Sequence, residues 1–403
     1  MLELTILKTP YRPLWVLLAL LLGNLLGSCR PPSPILTEPS PLTKAGYQDY
    51  AGAIHVHTLY SPDGRGSLEE IAHAAAERNL SYLIITDHNT LAGLRAEGEG
   101  WRKGALVLIG SEVSTAYGHC LTMGLKNFWG QEKTQGRVSA EELFSLVHEQ
   151  GGLAFIAHPH HPSTPWRRWG VSGYTGIEIY NLQVNLVERN VLGYLESVLL
   201  APFKFRLDFG TLLRRPEENL RIWDGLLQEG KKVVGVGSVD VHGRVRPLGW
   251  TIDSYSRFFR LVQTRILSRE KFNGELEHDR ALVYEALRQG HAYISFGIWG
   301  DPKGFSYLAL GKKGFQGTMG DRVDWDPGCC RVRITVAQKA IVRLLRNGEE
   351  VGKREVRDFD TEINLPGSYR VEVYKRKGLR RKLWILSNPI YFVSRDGKAG
   401  EGP

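Results

Sequence analysis

Histidines and acids in this chain stand where runs of strand-forming residues stop. AGAI leads into His55-Val-His57, YLIIT into Asp87-His88, and ALVLIGS into Glu112, with His119 close behind. GLAFIA ends on His158, and KVVGVGSV ends on Asp240-Val-His242. Imidazoles and carboxylates together suit zinc, manganese or iron better than calcium. Residues two apart on a strand share a face, which pairs His55 with His57 and Asp240 with His242 as joint ligands. A lone histidine is ordinarily a hydrogen-bonded or exposed side chain. Here His55, His57, His88, His119, His158 and His242 would all have to be so by coincidence. If the strands are parallel members of a barrel, their C-terminal ends converge, and ligands scattered from 55 to 242 meet at one mouth. The pattern points to a hydrolase that uses several metal ions.

The elements that must position these residues follow from periodicity. From Gly46 to about Gly300, apolar strands alternate with helical patterns, the mark of an α/β fold. Strands are expected near 52–57, 81–86, 105–109, 119–125, 153–157, 176–180, 233–239 and 291–296. Ser67 with Glu70, and Ser139 with Glu142, have the spacing of helix-starting capping boxes, and Gly151-Gly152 can close the second helix. Further helices are expected over 184–200, 217–230 and 280–289, and the basic stretch 201–215 reads as a loop crossing the mouth. Past Gly300 short alternating strands follow one another, with Asn347-Gly348 as a hairpin turn. This end is expected to form an antiparallel β-sandwich.

The segments IHVHTLYSPDG, IITDHN, GSEVST with GHCLTMG, FIAHPH and GSVDVHG resemble, in order, the motifs of the PHP (polymerase and histidinol phosphatase) superfamily of metallohydrolases. The resemblance runs from about Ala51 to Phe296, and a late SNPIY strand is similar to that of an exported branch with a C-terminal β domain. It implies a distorted (β/α)7 TIM-like barrel with metals at the strand C-termini. By position, it implies that His55, His57, Glu112 and Asp240 hold a first ion. Glu112 would bridge to a second ion completed by His119 and His158, and Asp63, His88 and His242 would hold a third. The cofactors implied are two or three divalent ions, Mn2+, Zn2+ or Fe2+.

A hydroxide held between two such ions is a nucleophile at neutral pH and can attack phosphorus in line. Asp87 is expected either to orient a ligand histidine or to cap the turn that follows it. His160 is expected to act as proton donor or outer partner. Arg167 and Arg168, in HPHHPSTPWRRWG, and Arg244, after His242, are candidates to grip phosphate, and Trp166 and Trp169 to stack on a base. Glu178, in GIEIYN, is expected to support its loop.

The 403 residues suffice for a large catalytic domain and a smaller one, and a net charge of +9 suits an acidic substrate or an anionic surface without naming either. Lys8 and Arg12 precede an apolar run, Leu14 to Leu22, too short to span a bilayer, and Leu26-Gly-Ser-Cys29 resembles a bacterial lipobox. The expected organisation is a signal peptide over 1–28, lipidation at Cys29, and a proline-rich tether over 29–45. A catalytic domain over 46–300, a β domain over 301–395 and a polar tail over 396–403 would follow. Cys120, Cys329 and Cys330 are too few for a disulfide framework. The basic stretch YKRKGLRRK (Tyr374 to Lys382) has the charge to contact acidic lipid or nucleic acid, but reads most simply as a solvated hairpin.

The function expected is metal-dependent hydrolysis of a phosphoester, with nucleotides or short nucleic acids as substrates, by an exported enzyme lipid-anchored to the cell envelope. A carboxylic or carbamate esterase is the alternative within the same site. A non-catalytic metal- or glycan-binding surface lipoprotein is the alternative from another class.

Overall fold

The computed structural model describes residues 40–128, 138–188, 212–243 and 253–394. Cys29, most of the expected tether, Arg244 and most of the 201–215 loop lie outside the described residues. The chain is a mixed α/β fold built on a large sheet. Strands β1 (Gln48–Val56), β2 (Tyr82–His88) and β4 (Ala105–Thr115) pair in parallel, and β3 (Gly100–Arg102) lies antiparallel against β4. β5 (Gly118–Met123) turns back from β4 and pairs antiparallel with β6 (Leu153–Ile156). β7 (Gly176–Asn181) and β8 (Val234–Ser238) continue the sheet in parallel. The chain leaving β8 then meets β1 again: Val239 N donates to Ile54 O at 3.2 Å, and His57 N to Val241 O at 3.1 Å.

The inner face of this sheet explains where the chemistry falls. Tyr82 and Ile84 of β2, Leu106 and Leu108 of β4, Leu121 and Met123 of β5, and Val234 and Val236 of β8 share one buried cluster. Side chains alternate with period two along a strand. Each apolar row therefore runs on to a polar end: β2 to His88, β4 to Glu112, and β8 to Asp240. β5 runs the other way, so its row, read backwards, reaches His119.

β1 departs from plain alternation. Ile54 belongs to the inner cluster and Val56 to the other one, although regular residues two apart would share a face. The register against β2 slips between these two, and His55 sits at φ 63°. His55 is the extra residue of a β-bulge, which re-aims side chains. The expected same-face pairing of His55 and His57 by simple alternation is thus replaced by a bulge that resets the count and delivers His57 inward.

Helix α1 (Leu68–Glu77) starts with the capping box read from the sequence: Ser67 Oγ accepts from Glu70 N, and Glu70 Oε2 accepts from Ser67 N at 2.9 Å. In α2 (Ala140–Glu149), Ser139 caps Glu142 N at 3.1 Å. α3 (Glu217–Gln228) follows Pro216, and α4 (Tyr255–Leu261) packs Phe258 and Phe259 into the core. α5 (Leu276–Gln289) sends Val283, Tyr284 and Leu287 into the inner cluster and ends on Gly290 at φ 77°. The periodicity did not reveal α4, nor β9 (Gln263–Ser268), whose start Gln-Thr-Arg masks its strand character.

β9 lies antiparallel between β1 and β10 (Ala292–Ser295). The C-terminal strands are β11 (Ser306–Gly311), β12 (Gly314–Thr318), β13 (Arg322–Trp325), β14 (Arg331–Arg346), β15 (Glu349–Glu362), β16 (Gly367–Lys377), β17 (Arg380–Ser387) and β18 (Ile390–Ser394). β17 pairs antiparallel with β10, so hydrogen bonding runs across the boundary expected at 300, and Ser40 onward forms one compact unit.

An ion network also crosses it. Arg370 of β16 is 1% exposed; its Nε and Nη2 each lie 2.7 Å from a carboxylate oxygen of Asp224 in α3, and its Nη1 lies 2.7 Å from Glu372. Glu372 also receives Arg215 and Arg343, and these cations overcome burial to hold its pKa down at about 2. Losing one partner leaves a buried guanidinium with N–H groups unmet. Asp224→Ala leaves Arg370 with Glu372 alone and two unmet N–H groups, and is expected to cost about 1.5–3 kcal/mol of stability, read as a lowered urea midpoint.

Candidate metal centre

Glu112 is the centre of the site. It is 1% exposed, and both its oxygens are crowded by imidazoles. Oε1 lies 2.8 Å from His119 Nδ1 and 2.8 Å from His158 Nε2. Oε2 lies 3.0 Å from His55 Nε2, 3.2 Å from His88 Nδ1 and 3.3 Å from His57 Nε2. Asp240 adds a second carboxylate, its Oδ1 being 3.4 Å from His55 Nε2 and 3.3 Å from His57 Nε2. Asp63 adds a third, with Oδ2 3.0 Å from His242 Nε2 and 3.4 Å from His88 Nε2.

Three overlapping groups of potential ligands result: His55, His57 and Glu112; His88, Glu112 and His119; and His57, Asp63, His88 and His242. All nine residues singled out in the sequence gather here. The grouping differs from the expected one in detail, because His57 faces the Asp63 group as well as the Glu112 group, and His88 faces Glu112 as well as Asp63.

The residues fit a divalent cation. His57 Nε2 and His158 Nδ1 are buried without a hydrogen-bond partner among the described residues. His57 Nε2 is near two carboxylate oxygens but aligned for a hydrogen bond with neither. A buried unpaired polar atom is costly, and a lone pair directed at a cation removes that cost. Donor separations of 3.0–3.4 Å also match ligands gathered round a first-row ion, whose bonds are about 2.0–2.2 Å long.

Electrostatics is set by the same contacts. Burial penalises the charged form of Glu112, but His55, His88, His119 and His158 overcome this and hold its carboxyl well below the usual range. Asp240 is likewise held low against burial by His55, His57 and His242. Burial opposes protonation of His57, yet Asp240 and Glu112 push it up to about 9. His55 is raised well above its ordinary value against burial by Asp240, Glu178 and Glu112.

A layer of supporting groups fixes the ligands. Glu178 Oε1 takes His55 Nδ1 at 2.7 Å, and Oε2 accepts His158 N at 2.6 Å, so its support is given directly to two ligand residues. Asn181 Nδ2 donates to Asp240 Oδ2 at 3.0 Å. Tyr255 OH lies 2.8 Å from His57 O and 3.1 Å from His242 O, and accepts from Gly66 N at 3.0 Å. The close approach of that ring leaves no room for a side chain at Gly243, which has φ 64° and would place a Cβ 2.8 Å from it. His55, His158 and Asp240 have φ of 63°, 25° and 50°, a strained left-handed backbone concentrated at the ligands. Asn181 ends the GIEIYN strand and was visible there as a polar strand end. Tyr255 carried no sequence signal, because its role depends on distant packing.

Other expected residues fall differently. Asp87 does not orient a histidine or cap the following turn: its two oxygens accept from Thr58 N at 2.6 Å and Thr58 Oγ1 at 2.7 Å, tying down the backbone after His57. Arg168 pairs with Glu141 at 2.7 Å and Tyr117 OH at 2.6 Å, so it is held against α2 instead of being offered to phosphate. Trp166 is buried against Phe144 and cannot stack on a base, whereas Arg167 is exposed. His160 does line an opening beside the cluster, with His158, Asn181, Val184, Asn185, Pro216, Glu218 and Asn219.

A buried histidine–carboxylate centre at the ends of sheet strands is a scaffold able to hold divalent metal ions. The family model described as the PHP domain matches residues 53–206, and the chain belongs to that family. An uncharacterized protein of Methanocaldococcus jannaschii is 35% identical over 121 residues, covering 27% of this chain and 67% of that one. A phosphoribosyl 1,2-cyclic phosphate 1,2-diphosphodiesterase of Eggerthella lenta is 44% identical over 62 residues, covering 15% of this chain and 23% of that enzyme. Among solved structures, the lesion-specific endonuclease of Pyrococcus furiosus aligns at 12% identity with a TM-score of 0.39, over 68% of this chain and 64% of that one.

Glu112→Gln is expected to remove more bound metal than any other single change, since Glu112 meets five histidines. Elemental analysis of the purified protein checks this, and retention of full metal by both His57→Ala and Asp240→Ala would refute the site. Tyr255→Phe is expected to lower stability by about 1–3 kcal/mol through the backbone group left unpaired, measured by chemical denaturation.

Proposed function

We propose that the chain is a metal-dependent phosphoesterase that hydrolyses nucleotides or short nucleic acids. The observation that carries this reading is Glu112 set between histidine groups, with an opening lined by His158 and His160 beside it. On this reading His55, His57, Asp63, His88, Glu112, His119, His158, Asp240 and His242 hold two or three manganese, zinc or iron ions. Such ions supply Lewis acidity that activates water and neutralises phosphoryl oxygens. Support for a phosphoester comes from the family, from the phosphodiesterase relative and from the net charge of +9. Arg167, being exposed, remains a candidate for the substrate's phosphate. The strands up to β10 are read as the distorted barrel of the family and the later ones as a bracing sandwich. The N-terminal sequence supports an exported protein lipidated at Cys29.

The chain's own residues position a proton. Asn219 Nδ2 donates to Ile179 O at 2.9 Å, which leaves its Oδ1 to accept from His160 Nδ1 at 2.5 Å. This fixes the ring with a proton on Nδ1 and leaves Nε2 for the reacting groups at the opening. Glu178 and Asn181 keep His55 and Asp240 in place while the substrate is bound, so the cluster need not reorganise.

One observation favours a second reading. No described residue lining the opening is cationic, and Glu218 is acidic, which suits a neutral carboxylic or carbamate ester better than a phosphate.

A panel of phosphomonoester, phosphodiester and carboxyl ester, run on metal-loaded protein, separates the two. Turnover of the phosphodiester is expected, and turnover of the carboxyl ester alone would overturn the proposal. Asn219→Ala is expected to lower kcat by about 10–100-fold with metal content unchanged, measured by steady-state kinetics beside elemental analysis.

A further inference from the structure

The hairpin joining β16 to β17 carries a feature that hydrolysis does not use. Arg376, Lys377, Arg380 and Arg381 are exposed around its turn, and Leu379 at the tip is 105% exposed. No acidic residue occurs in the sequence between Glu372 and Asp396. Arg376 pairs with Glu355 at 2.8 Å. A solvated turn needs no leucine; a polar residue would cost less there, as exposed apolar surface is unfavourable.

The base of the hairpin is firmly held. Lys375 Nζ donates to Trp299 O at 2.6 Å and sits 3.5 Å from the centre of the Trp384 ring, while Lys382 Nζ lies 5.6 Å from the Trp299 ring. The tip is therefore a presented element on a fixed mount.

Its direction follows from strand pairing. β1 and β10 both run antiparallel to β9, and hence parallel to one another. β17 is antiparallel to β10, with Ile385 opposite Ser295, the last residue of β10. The turn, from Arg380 back to Lys377, thus extends beyond the C-terminal end of β10, by about 15 Å along the strand direction. That is the end of the sheet at which His55 and His57 close β1. Leu59, two residues past His57, is 51% exposed at the same end.

We propose that this hairpin docks the protein on an anionic lipid bilayer, Leu379 entering the interface and Arg376, Lys377, Arg380 and Arg381 meeting the headgroups. The apolar tip ringed by cations decides for a bilayer over a nucleic acid, because a phosphodiester backbone rewards the charges but leaves the leucine in water. The apolar run from Leu14 to Leu22 is an independent reason to expect a lipid surface beside the chain. The inference does not rest on the proposed phosphoesterase activity.

The test uses the full chain with vesicles of phosphatidylcholine, alone or with about a third phosphatidylserine, and reads the difference in binding between the two. Each cation near an anionic surface is worth about fivefold in affinity. Arg380→Ser combined with Arg381→Ser is therefore expected to reduce the phosphatidylserine-dependent binding by about 25-fold, and Leu379→Ser by about tenfold. Hydrolysis of a small soluble substrate and the melting temperature should stay unchanged in both. Amide exchange on the unaltered chain gives a second reading: residues 376–382 are expected to slow on phosphatidylserine vesicles. Equal binding of variant and unaltered chains, or amides that stay unprotected on vesicles, overturns the proposal. Protection of those amides by a single-stranded oligonucleotide but not by vesicles also overturns it, and assigns the hairpin to nucleic acid.

Discussion

Burying several carboxylates together is the constraint on which this structure turns. Glu112, Glu178 and Asp240 are withdrawn from water within one cluster. An unpaired buried charge costs far more than any single contact returns, so each must be met by positive or polarised partners. The histidines do this, and the strands are arranged so that they can. β2, β4, β5 and β8 each bring one member of the cluster at the end of an apolar row. Burial in the inner face and convergence at the strand ends are two outcomes of the same alternation.

Around that charge the chain builds support mainly from its backbone. Tyr255 holds the carbonyls of His57 and His242, Asp87 holds Thr58, and Glu178 reaches both a ring nitrogen and an amide. These contacts fix direction, which matters because left-handed φ at His55, His158 and Asp240 would relax if left alone. The C-terminal strands add a further brace, since Glu372 draws in Arg215, close to the Pro216 and Asn219 that line the opening.

Much of this could be read from the sequence, for a physical reason. Strand alternation and the polar strand ends are local patterns, so eight of the cluster residues are legible from them, while Asp63 follows only from the family resemblance. The capping box at Ser67 is complete, whereas Ser139 caps Glu142 N without the reciprocal Glu142 contact. Interactions between distant residues were not. Asp87 stands beside His88 in sequence yet spends its carboxylate on Thr58, and Arg168 turns away to Glu141. Tyr255 and Asn219 act through contacts with segments far away in the chain, where no spacing rule applies. Strand β9 was hidden because its polar start interrupts the alternation, and its place between β1 and β10 follows from tertiary pairing.

The bulge at His55 has a consequence for how this chain can change over time. It works like a frame correction in β1: before it Ile54 faces inward, and after it His57 does, because one residue is left uncounted. Substitutions along the strand leave that count intact, whereas a gain or loss of a single residue between Ala53 and His57 would exchange the two faces and send His57 out of the cluster. Variation in length is therefore confined to segments outside the strand, and β1 can drift in composition but not in number.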